Sequence, residues 1–307
     1  MYGKTVKKYI LVLVLLSLNM INGCCNRCIL KGNDSGVKKT FRVIAYNVLE
    51  GFNDGSARDE KVAKWLKAED PDVVALEELN NFNEELLQDL AAKWGHPYVV
   101  LLKTEGYPTG LTSKQPITDV KRVFDNMHHG LLECKTQGIY FFVVHLSPFD
   151  HKLRQSEADI ILKELGNIKK GEQSILLGDF NSFSAADEEY YKRNNTLEYY
   201  KSQDEKRKSS NLNDGNLDFT VIEKFEKAGL TDMVRKYYKN GQTQISGGTP
   251  FVLDLGKSGD IQKRNRIDYI MATAGLASKS VFAYVENNDS ITGQNSDHYP
   301  VIADFEF

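Results

Sequence analysis

A short apolar run, Ser174–Leu177 (SILL), stops at the polar turn Gly178–Asn181 (GDFN). The run predicts a buried β-strand, and the glycine allows the backbone to turn where that strand ends. Because side chains alternate along a strand, Asp179 and Asn181 are expected to project from its tip on the same side. A carboxylate there can hold water or a metal ion, and an amide can donate to an oxyanion. The motif alone is equally typical of an ordinary turn, so other segments must decide.

Other predicted strands in the chain end in the same way, with a polar or charged side chain directly after an apolar run. With the first case, these positions are Asn47, Glu78, His145, Asp179 with Asn181, Asp268, and the pair Asp297–His298. One such case is typical of a turn. Six of them in one chain indicate that several strand ends converge on a single cleft.

The residue types at these strand ends fit one kind of chemistry. Glu78, Asp297 and Asn47 offer hard oxygen ligands, which suit Mg²⁺, Mn²⁺ or Ca²⁺. His145 and His298 suit proton transfer or a charged hydrogen bond to phosphate, and a nearby acid would orient and charge a histidine. The chain has no serine in a nucleophile elbow and no glycine-rich phosphate loop. Metal-assisted attack of water on phosphorus is the reaction that uses all these groups.

Predicted strands and helices intermix along the chain, and several strands pair as hairpins, which favours mixed sheets. The clearest predicted strands are 40–48, 72–76, 139–144, 174–177, 267–271, 280–285 and 301–307. The clearest predicted helices are 56–67, 83–94, 153–165 and 219–228. Residues 187–216 form a polar, tyrosine-containing insertion that is either a solvated surface excursion or a mobile cover over a substrate site. The helical spacing of its tyrosines favours packing over stacking on bases or contact with lipid.

Several other polar side chains have both a functional and a structural interpretation. His128 and His129 precede a predicted strand and are expected to form a surface pair and not a metal site. Arg264 and Arg266 precede Asp268. Two interpretations are open: one of these arginines binds phosphate, or the segment is a solvated basic turn. Arg154 follows the His145 loop and serves either helix-start packing or substrate contact.

The N-terminus predicts export. Three lysines precede an apolar stretch, 9–21, which is too short to span a bilayer and matches the core of a signal peptide. The segment Ile21–Cys24 resembles a bacterial lipoprotein processing box, with Asn22 an imperfect fit. Cys24 would then be the lipidated N-terminus; the alternative is ordinary secretory cleavage with Cys24 as a thiol. We therefore expect a signal peptide at 1–23, a tether at 24–38 and one domain at 39–307.

The expected location and partners follow from this organisation. A lipidated chain would be a bacterial cell-envelope lipoprotein, membrane-anchored and periplasmic or surface-exposed; otherwise the protein would be secreted. The net charge is −3 for the whole chain and −6 after removal of 1–23. Such a charge argues against affinity based on a general basic surface, although a local basic groove remains open. We expect a monomer that meets nucleic acid, if at all, as substrate.

The chain resembles the endonuclease/exonuclease/phosphatase superfamily over about residues 40–307. The segments that carry the resemblance are RVIAYNVLEG, PDVVALEEL, VVHLSP, LLGDFNS, NRIDYIMA and SDHYPVIADF, in the order found in the family. The resemblance implies a four-layer α/β sandwich, in which two mixed β-sheets pack face to face with helices outside. It also implies hydrolysis of phosphoesters with a divalent metal, for which Mg²⁺ is our first expectation and Mn²⁺ or Ca²⁺ the alternatives.

The resemblance implies a role for each matching residue on the metal and phosphate side of the site. Glu78 would be the principal metal ligand, and Asp297 would join the metal site. Asn47 would contact the phosphate or the metal shell. His145 would bind or protonate the phosphate region.

The remaining residues would carry the attack on phosphorus. Asp179 would orient the attacking water and Asn181 a phosphate oxygen. Asp268 would pair with His298, which would stabilise the pentacovalent transition state. The family commonly has Gln before the metal Glu, whereas Glu77 stands there in this chain, and strict alternation would point Glu77 away from the site.

The expected function is therefore an exported phosphoesterase that is either a phosphatase or a phosphodiesterase. Within this class, a nuclease would want a basic groove and a sphingomyelinase-like lipid phosphodiesterase would want an exposed membrane-contact loop. A phosphatase of small organic phosphates needs neither, so the sequence favours it slightly. A catalytically inactive binding protein on the same fold is the non-enzyme alternative.

Overall fold

The computed structural model describes residues 40–53, 55–238, 242–254, 256–257 and 260–307. The predicted signal peptide at 1–23, the tether at 24–38 and the lipidation site at Cys24 lie outside the described residues. Among the residues that are described, no helix is both long enough and apolar enough to cross a membrane.

The described residues form β-strands and α-helices that intermix along the chain, as the sequence predicts. The strands are β1 (Thr40–Asn47), β2 (Val73–Glu77), β3 (Tyr98–Leu101), β4 (Gly110–Ser113), β5 (Thr118–Val123), β6 (Leu131–Thr136), β7 (Ile139–His145), β8 (Gln173–Asp179), β9 (Leu230–Asp232), β10 (Asp268–Thr273), β11 (Ser280–Val285) and β12 (Val301–Glu306). The helices are α1 (Arg58–Glu69), α2 (Glu84–Ala92), α3 (His151–Asn167), α4 (Glu188–Arg193), α5 (Thr196–Arg207), α6 (Thr220–Lys227), α7 (Met233–Tyr237) and α8 (Ala274–Ala277).

Within the described part of the chain the strands make two sheets of six. The first has the order β11-β12-β1-β2-β4-β3 and the second β5-β6-β7-β8-β10-β9. Both sheets are mixed, because β1 runs parallel to β2 and β7 runs parallel to β8, whereas the other pairs are antiparallel. The mixed sheets expected from the sequence are thus confirmed.

The two sheets pack face to face over a buried apolar core. Alternate residues of each central strand point into it, for example Val43 and Ala45 from β1 and Ile175 and Leu177 from β8. This alternation follows from the two-residue period of a strand, and it fixes which side chain at each strand end faces the space between the sheets. The end of each of these strands is where the predicted polar residues begin.

Helices cover the outer face of each sheet. The other residues of β1 and β2, such as Ile44 and Val74, pack against α1 and α2. On the second sheet, the outward residues of β7 and β8 pack against α3 and α6. The four-layer α/β sandwich that the resemblance implies is therefore confirmed.

The 187–216 insertion is packed against the domain. It folds into α4 and α5, and Tyr191 is buried in a small apolar cluster with Phe183 and Ile267. Tyr200 packs its ring against Phe183 with centroids 5.0 Å apart. The tyrosines of the insertion serve packing, as their helical spacing indicates.

Candidate active site

The register of the second sheet places three predicted site residues side by side. His145 ends β7 and pairs with Asp179 at the end of β8, and Asp179 pairs in turn with Asp268 at the start of β10. All three positions continue the inward-facing series of their strands, so their side chains face the space between the sheets. Each is 3 % exposed or less. The strand ends therefore converge as the sequence predicts.

Gly178 makes this register possible. Its φ is +128°, and a Cβ at this position would lie 2.1 Å from the Val144 backbone oxygen and 2.9 Å from Glu77 Oε1. Only a residue without a side chain allows β7, β8 and β2 to come this close. The glycine in the GDFN motif thus has a packing role besides the turn.

Glu77 and Glu78 occupy different places from those that strict alternation suggested. Glu77 pairs with Asn47 and continues the inward series of Ala75, so it lies between the sheets and not away from the site. Glu78 follows the end of β2 with a φ of +59°. This left-handed conformation turns its side chain back towards the other site residues between the sheets. The expectation for Glu77 was wrong because the strand ends before Glu78.

Glu77 is a buried acid without a hydrogen-bond partner for either carboxyl oxygen among the described residues. Burial, together with the charges of Asp268 and Asp179, raises the pKa of Glu77 well above its usual range. Burial therefore favours the uncharged form of this side chain.

Asn47 joins the two sheets at the site. Its Nδ2 donates to Glu78 Oε1 at 3.1 Å and to Asp179 Oδ2 at 3.2 Å. Glu78 Oε2 also accepts from the Glu50 backbone N–H at 2.9 Å, and Asn47 Oδ1 accepts from the Leu49 N–H at 3.1 Å. The amide is thus fixed in orientation and holds two carboxyl groups together.

His298 and Asp268 form a hydrogen-bonded pair. His298 Nδ1 donates to Asp268 Oδ2 at 2.9 Å, and its Nε2 lies 3.8 Å from Asp179 Oδ2. Burial lowers the pKa of His298, but the carboxylates of Asp268, Asp297 and Asp179 outweigh it and hold that pKa well above its usual range. His298 is therefore a charged donor at neutral pH, with Nε2 directed towards the centre of the cluster.

Two serines that the sequence analysis missed support this pair through hydrogen bonds to the backbone around it. Ser246 Oγ accepts from the backbone N–H groups of Ile267 and Asp268, both at 3.0 Å. Ser296 Oγ donates to the Asn47 carbonyl at 2.7 Å and accepts from the His298 N–H at 3.2 Å. Ser296 directly precedes the Asp297–His298 pair, which is a local signal, whereas nothing in the sequence connects Ser246 with Asp268.

His145 is neutral, unlike His298. Burial, followed by the charges of neighbouring histidines, holds the pKa of His145 well below its usual range. Its Nε2 lies 3.6 Å from Asp179 Oδ2, and a neutral ring makes this a polar contact and not an ion pair. His129 stacks on His145 with ring centroids 4.2 Å apart and is itself buried. The surface pair expected for His128 and His129 is therefore wrong for His129, because the strand that follows it runs antiparallel to β7.

Asn181 and Asp297 lie at the edge of the cluster. Asn181 has a φ of +45°, its backbone N–H donates to Asp179 Oδ1 at 2.8 Å, and its Nδ2 donates to the Leu146 carbonyl at 3.0 Å. Asp297 has a side chain that is 31 % exposed and lies 4.0 Å from His298 Nε2. Both residues are only partly buried, in contrast to Asp179, Asp268 and His298.

Arg264 and Arg266 both make contacts within the protein that the sequence did not indicate. Arg266 is buried and binds Asp187 and Asp232. Arg264 donates to the Tyr299 hydroxyl at 2.8 Å. The segment is therefore not a solvated turn, and phosphate binding by Arg264 stays a prediction.

The cluster has the composition of a cation site. Burial is the first cause that raises the pKa of both Glu78 and Asp179, and nearby carboxylates add to it. A divalent cation would relieve this concentration of negative charge, and the oxygens of Glu78, Asp179 and Asn47 suit Mg²⁺.

The tightest group of possible ligand atoms among the described residues is a different one. Asp179, Asp268 and His298 offer ligand atoms within 4.8 Å of one another. In that group His298 and Asp268 already bind each other, so we regard it as a charged pair beside a carboxylate. Glu78, Asn47 and Asp297 as metal ligands remain a prediction.

Comparisons with known proteins agree with the fold described above. The family model described as "Endonuclease/Exonuclease/phosphatase family" matches residues 44–298. An AP endonuclease structure from Archaeoglobus fulgidus matches with a TM-score of 0.63 at 20 % identity, covering 87 % of this chain and 100 % of that one. A comparison with curated proteins finds no significant match.

Two further solved structures come from one Neisseria protein. A 3'-5' exonuclease from Neisseria meningitidis matches with a TM-score of 0.64 at 16 % identity. A structure described as a 3' phosphatase from Neisseria, carrying one substitution and bound to product DNA hairpin, matches with a TM-score of 0.65 at 17 % identity. Each covers 87 % of this chain and 100 % of its own. At these identities the structures show the fold alone.

Proposed function

Because this chain belongs to the endonuclease/exonuclease/phosphatase family, whose members are metal-dependent phosphoester hydrolases, we propose that it hydrolyses phosphoester bonds by in-line attack of water at the cluster of Asp179, Asp268 and His298. The observation that carries the proposal is the convergence of these three buried side chains, with ligand atoms within 4.8 Å. They come from two strands of one sheet and from the loop before β12.

Each residue has a task that its surroundings support. Asp179 faces the centre of the cluster and would accept a proton from the attacking water. His298, charged through its bond to Asp268, would donate from Nε2 to a phosphoryl oxygen that gains charge in the transition state. Asn181 would donate to a further phosphate oxygen at the mouth of the site.

Glu78 would hold the divalent cation, with Asp297 at the rim. Asn47 would join as a ligand only by turning its Oδ1, which accepts from the Leu49 N–H, towards Glu78. When bound, such a cation supplies Lewis-acid polarisation of a phosphoryl oxygen and stabilises the leaving oxygen. We propose Mg²⁺ for this position, with Mn²⁺ or Ca²⁺ as alternatives. His145 is neutral, so its ring nitrogen that faces the phosphate group would either donate to it or accept from it, according to the tautomer.

The substrate class that we propose first is a small organic phosphate. The net charge of −3 supports it, since long-range attraction of a polyanionic strand needs a basic surface. A nuclease is the second candidate, because the similar solved structures include an AP endonuclease and a 3'-5' exonuclease. A sphingomyelinase-like activity and an inactive binding protein are the remaining alternatives.

The test is a hydrolysis assay of one purified sample on an aryl phosphomonoester, an aryl phosphodiester, DNA and sphingomyelin. We expect chelation to abolish activity and added Mg²⁺ or Mn²⁺ to restore it. Full activity after chelation would refute the proposal. Tight binding of a phosphate ester without turnover would favour the binding protein instead.

We also propose that the protein is exported and anchored to a cell-envelope membrane through a lipidated Cys24. The support is the apolar stretch 9–21 and the processing-box-like segment that ends at Cys24. Labelled fatty acid should enter the wild-type chain and not a Cys24→Ala variant. Equal labelling of both would end this proposal and leave secretion as the alternative.

A further inference from the structure

A small cavity adjoins the candidate active site on the side of the 187–216 insertion, and we call it the insertion pocket. It encloses about 120 Å³. Its polar lining residues are Arg154, Asn181, Tyr199, Gln203, Arg207 and Asn211. Asn181 belongs to both places, because its backbone N–H also donates to Asp179 Oδ1. A group in the insertion pocket would therefore lie next to a phosphate held at the active site.

Arg154 is a buried cation in this lining without a carboxylate partner. It is 2 % exposed, and no ion pair joins it to an acid within the described part of the chain. Its Nη1 donates to the Ser147 carbonyl and to Asn211 Oδ1, both at 2.8 Å, and its Nε has no partner among the described residues. The hydrogen bonds of this guanidinium go to neutral oxygens alone, while the charges of Asp218, Glu157 and Asp150 offset part of the cost of its burial.

The insertion fixes the wall that faces Arg154. Asp204 on α5 accepts from the Asn211 backbone N–H at 2.8 Å and from Asn211 Nδ2 at 3.1 Å. This leaves Asn211 Oδ1 turned towards Arg154. On the opposite side, Tyr200 accepts from Asn265 Nδ2 at 2.9 Å and packs on Phe183. The pocket is thus a built cavity and not a gap between loose loops.

Arg207 supplies a second positive charge at the mouth. It is the last residue of α5 and is exposed, and it makes no ion pair within the described residues. No aspartate or glutamate is among the residues that line the pocket. Two guanidinium groups and several neutral donors therefore surround a space with no acid in its lining, which is an anion-binding composition. The charges of Asp218, Glu157 and Asp150, which lie outside that lining, act on Arg154 without forming an ion pair.

We propose that the insertion pocket binds a second phosphate group of the substrate, on the carbon next to the one that carries the scissile phosphate. This inference rests on the proposed function and narrows its substrate class to small vicinal bisphosphates. The volume supports one such group, since a cavity of about 150 Å³ accommodates a benzene molecule. A polynucleotide would instead need cations that continue along a groove.

The test compares glycerol 1,2-bisphosphate with glycerol 1-phosphate as substrates of the full protein with Mg²⁺. We expect kcat/KM to favour the bisphosphate by about tenfold or more in the wild type, corresponding to about 1.4 kcal/mol. In Arg207→Gln the preference should fall towards one, mainly through a higher KM for the bisphosphate. Lys206→Gln removes the same charge from the neighbouring exposed residue, which does not line the pocket, and should keep the wild-type preference.

A second measurement is independent of turnover. Isothermal titration with inorganic phosphate and no added metal should show weaker binding to Arg207→Gln than to the wild type and to Lys206→Gln. Equal phosphate affinity in all three proteins would overturn the inference, and so would a bisphosphate preference near one in the wild type. A preference for a dinucleotide over the bisphosphate would also overturn it. If the protein hydrolyses neither substrate, that result refutes the proposed function and not the anion-binding role of the pocket. The titration then still tests the pocket.

Discussion

Arg266 is the side chain whose removal should destabilise the fold most clearly. It is 1 % exposed, and its Nε donates to Asp187 Oδ2 at 2.7 Å while its Nη1 donates to Asp232 Oδ2 at 2.6 Å. Its guanidinium also lies over the Tyr269 ring, 4.5 Å from the centroid. Arg266 and its partners thus connect the start of the 187–216 insertion with β9 and with the segment before β10.

The cost of Arg266→Met follows from the groups that it leaves behind. Each of the two charge-assisted hydrogen bonds is worth about 1.5–3 kcal/mol. Their loss leaves two buried carboxylates without a cation, and breaking a buried ion pair costs about 3–5 kcal/mol. Asp187 retains a hydrogen bond from the Thr243 hydroxyl at 2.8 Å, and Asp232 retains one from the Arg235 N–H at 3.1 Å. These remaining bonds limit the loss, so we expect about 4 kcal/mol.

The measurement is urea unfolding at pH 7, followed by intrinsic fluorescence. A triple variant with Asp187→Asn and Asp232→Asn added to Arg266→Met should recover at least about 2 kcal/mol, because no charge is then left unpaired. A loss below about 1 kcal/mol for the single variant would contradict this reasoning. A triple variant as unstable as the single one would contradict it equally.

Two further predictions concern pH and packing. Burial lowers the pKa of His96 to about 4, and its neutral ring bonds to the Thr112 hydroxyl and the Pro71 carbonyl as acceptor and donor. In the unfolded chain a histidine takes up its proton near pH 6.5. The free energy of unfolding should therefore fall as the pH drops from 6.5 to 4, by up to about 3 kcal/mol. Unfolding at pH 7 and 4.5 should show this loss reduced in His96→Gln, and an unchanged loss would refute it. Gly178→Ala should cost about 3 kcal/mol or more of unfolding free energy, because its Cβ would collide with the Val144 carbonyl of the neighbouring strand β7. Gly171→Ala, also at positive φ but in open space, should cost less. Equal costs in urea unfolding would show that the close approach is not what matters.

Much of the fold could be predicted because apolar runs and alternation are local signals. The strand predicted at 280–285 is β11 with the same bounds, and the predicted runs 139–144 and 174–177 lie within β7 and β8. The polar residues after these runs were recognisable as site residues for the same reason. Alternation along β7, β8 and β10 then determines that His145, Asp179 and Asp268 face the core between the sheets.

The errors arose where contacts join distant parts of the chain or where a strand ends. Glu77 was placed wrongly because alternation was counted through Glu78, whereas β2 ends at Glu77, which faces inward like Ala75. His129 is buried by its stacking on His145, which requires the β6–β7 pairing. Arg266 and Arg154 find their partners in the insertion and its flanks, 79 and 57 residues away in sequence. No local pattern reports such pairs.

The central claim is that His298 and Asp268 act as one unit beside Asp179, and a double-mutant cycle on kcat tests it most directly. With a metal-saturated enzyme and an aryl phosphate, Asp268→Asn and His298→Ala should each lower kcat by about a hundredfold or more. The double variant should be no more than about tenfold worse than the poorer single variant, since both changes remove the same charged donor. Losses that multiply to about ten-thousandfold, or single variants with wild-type kcat, would contradict the account.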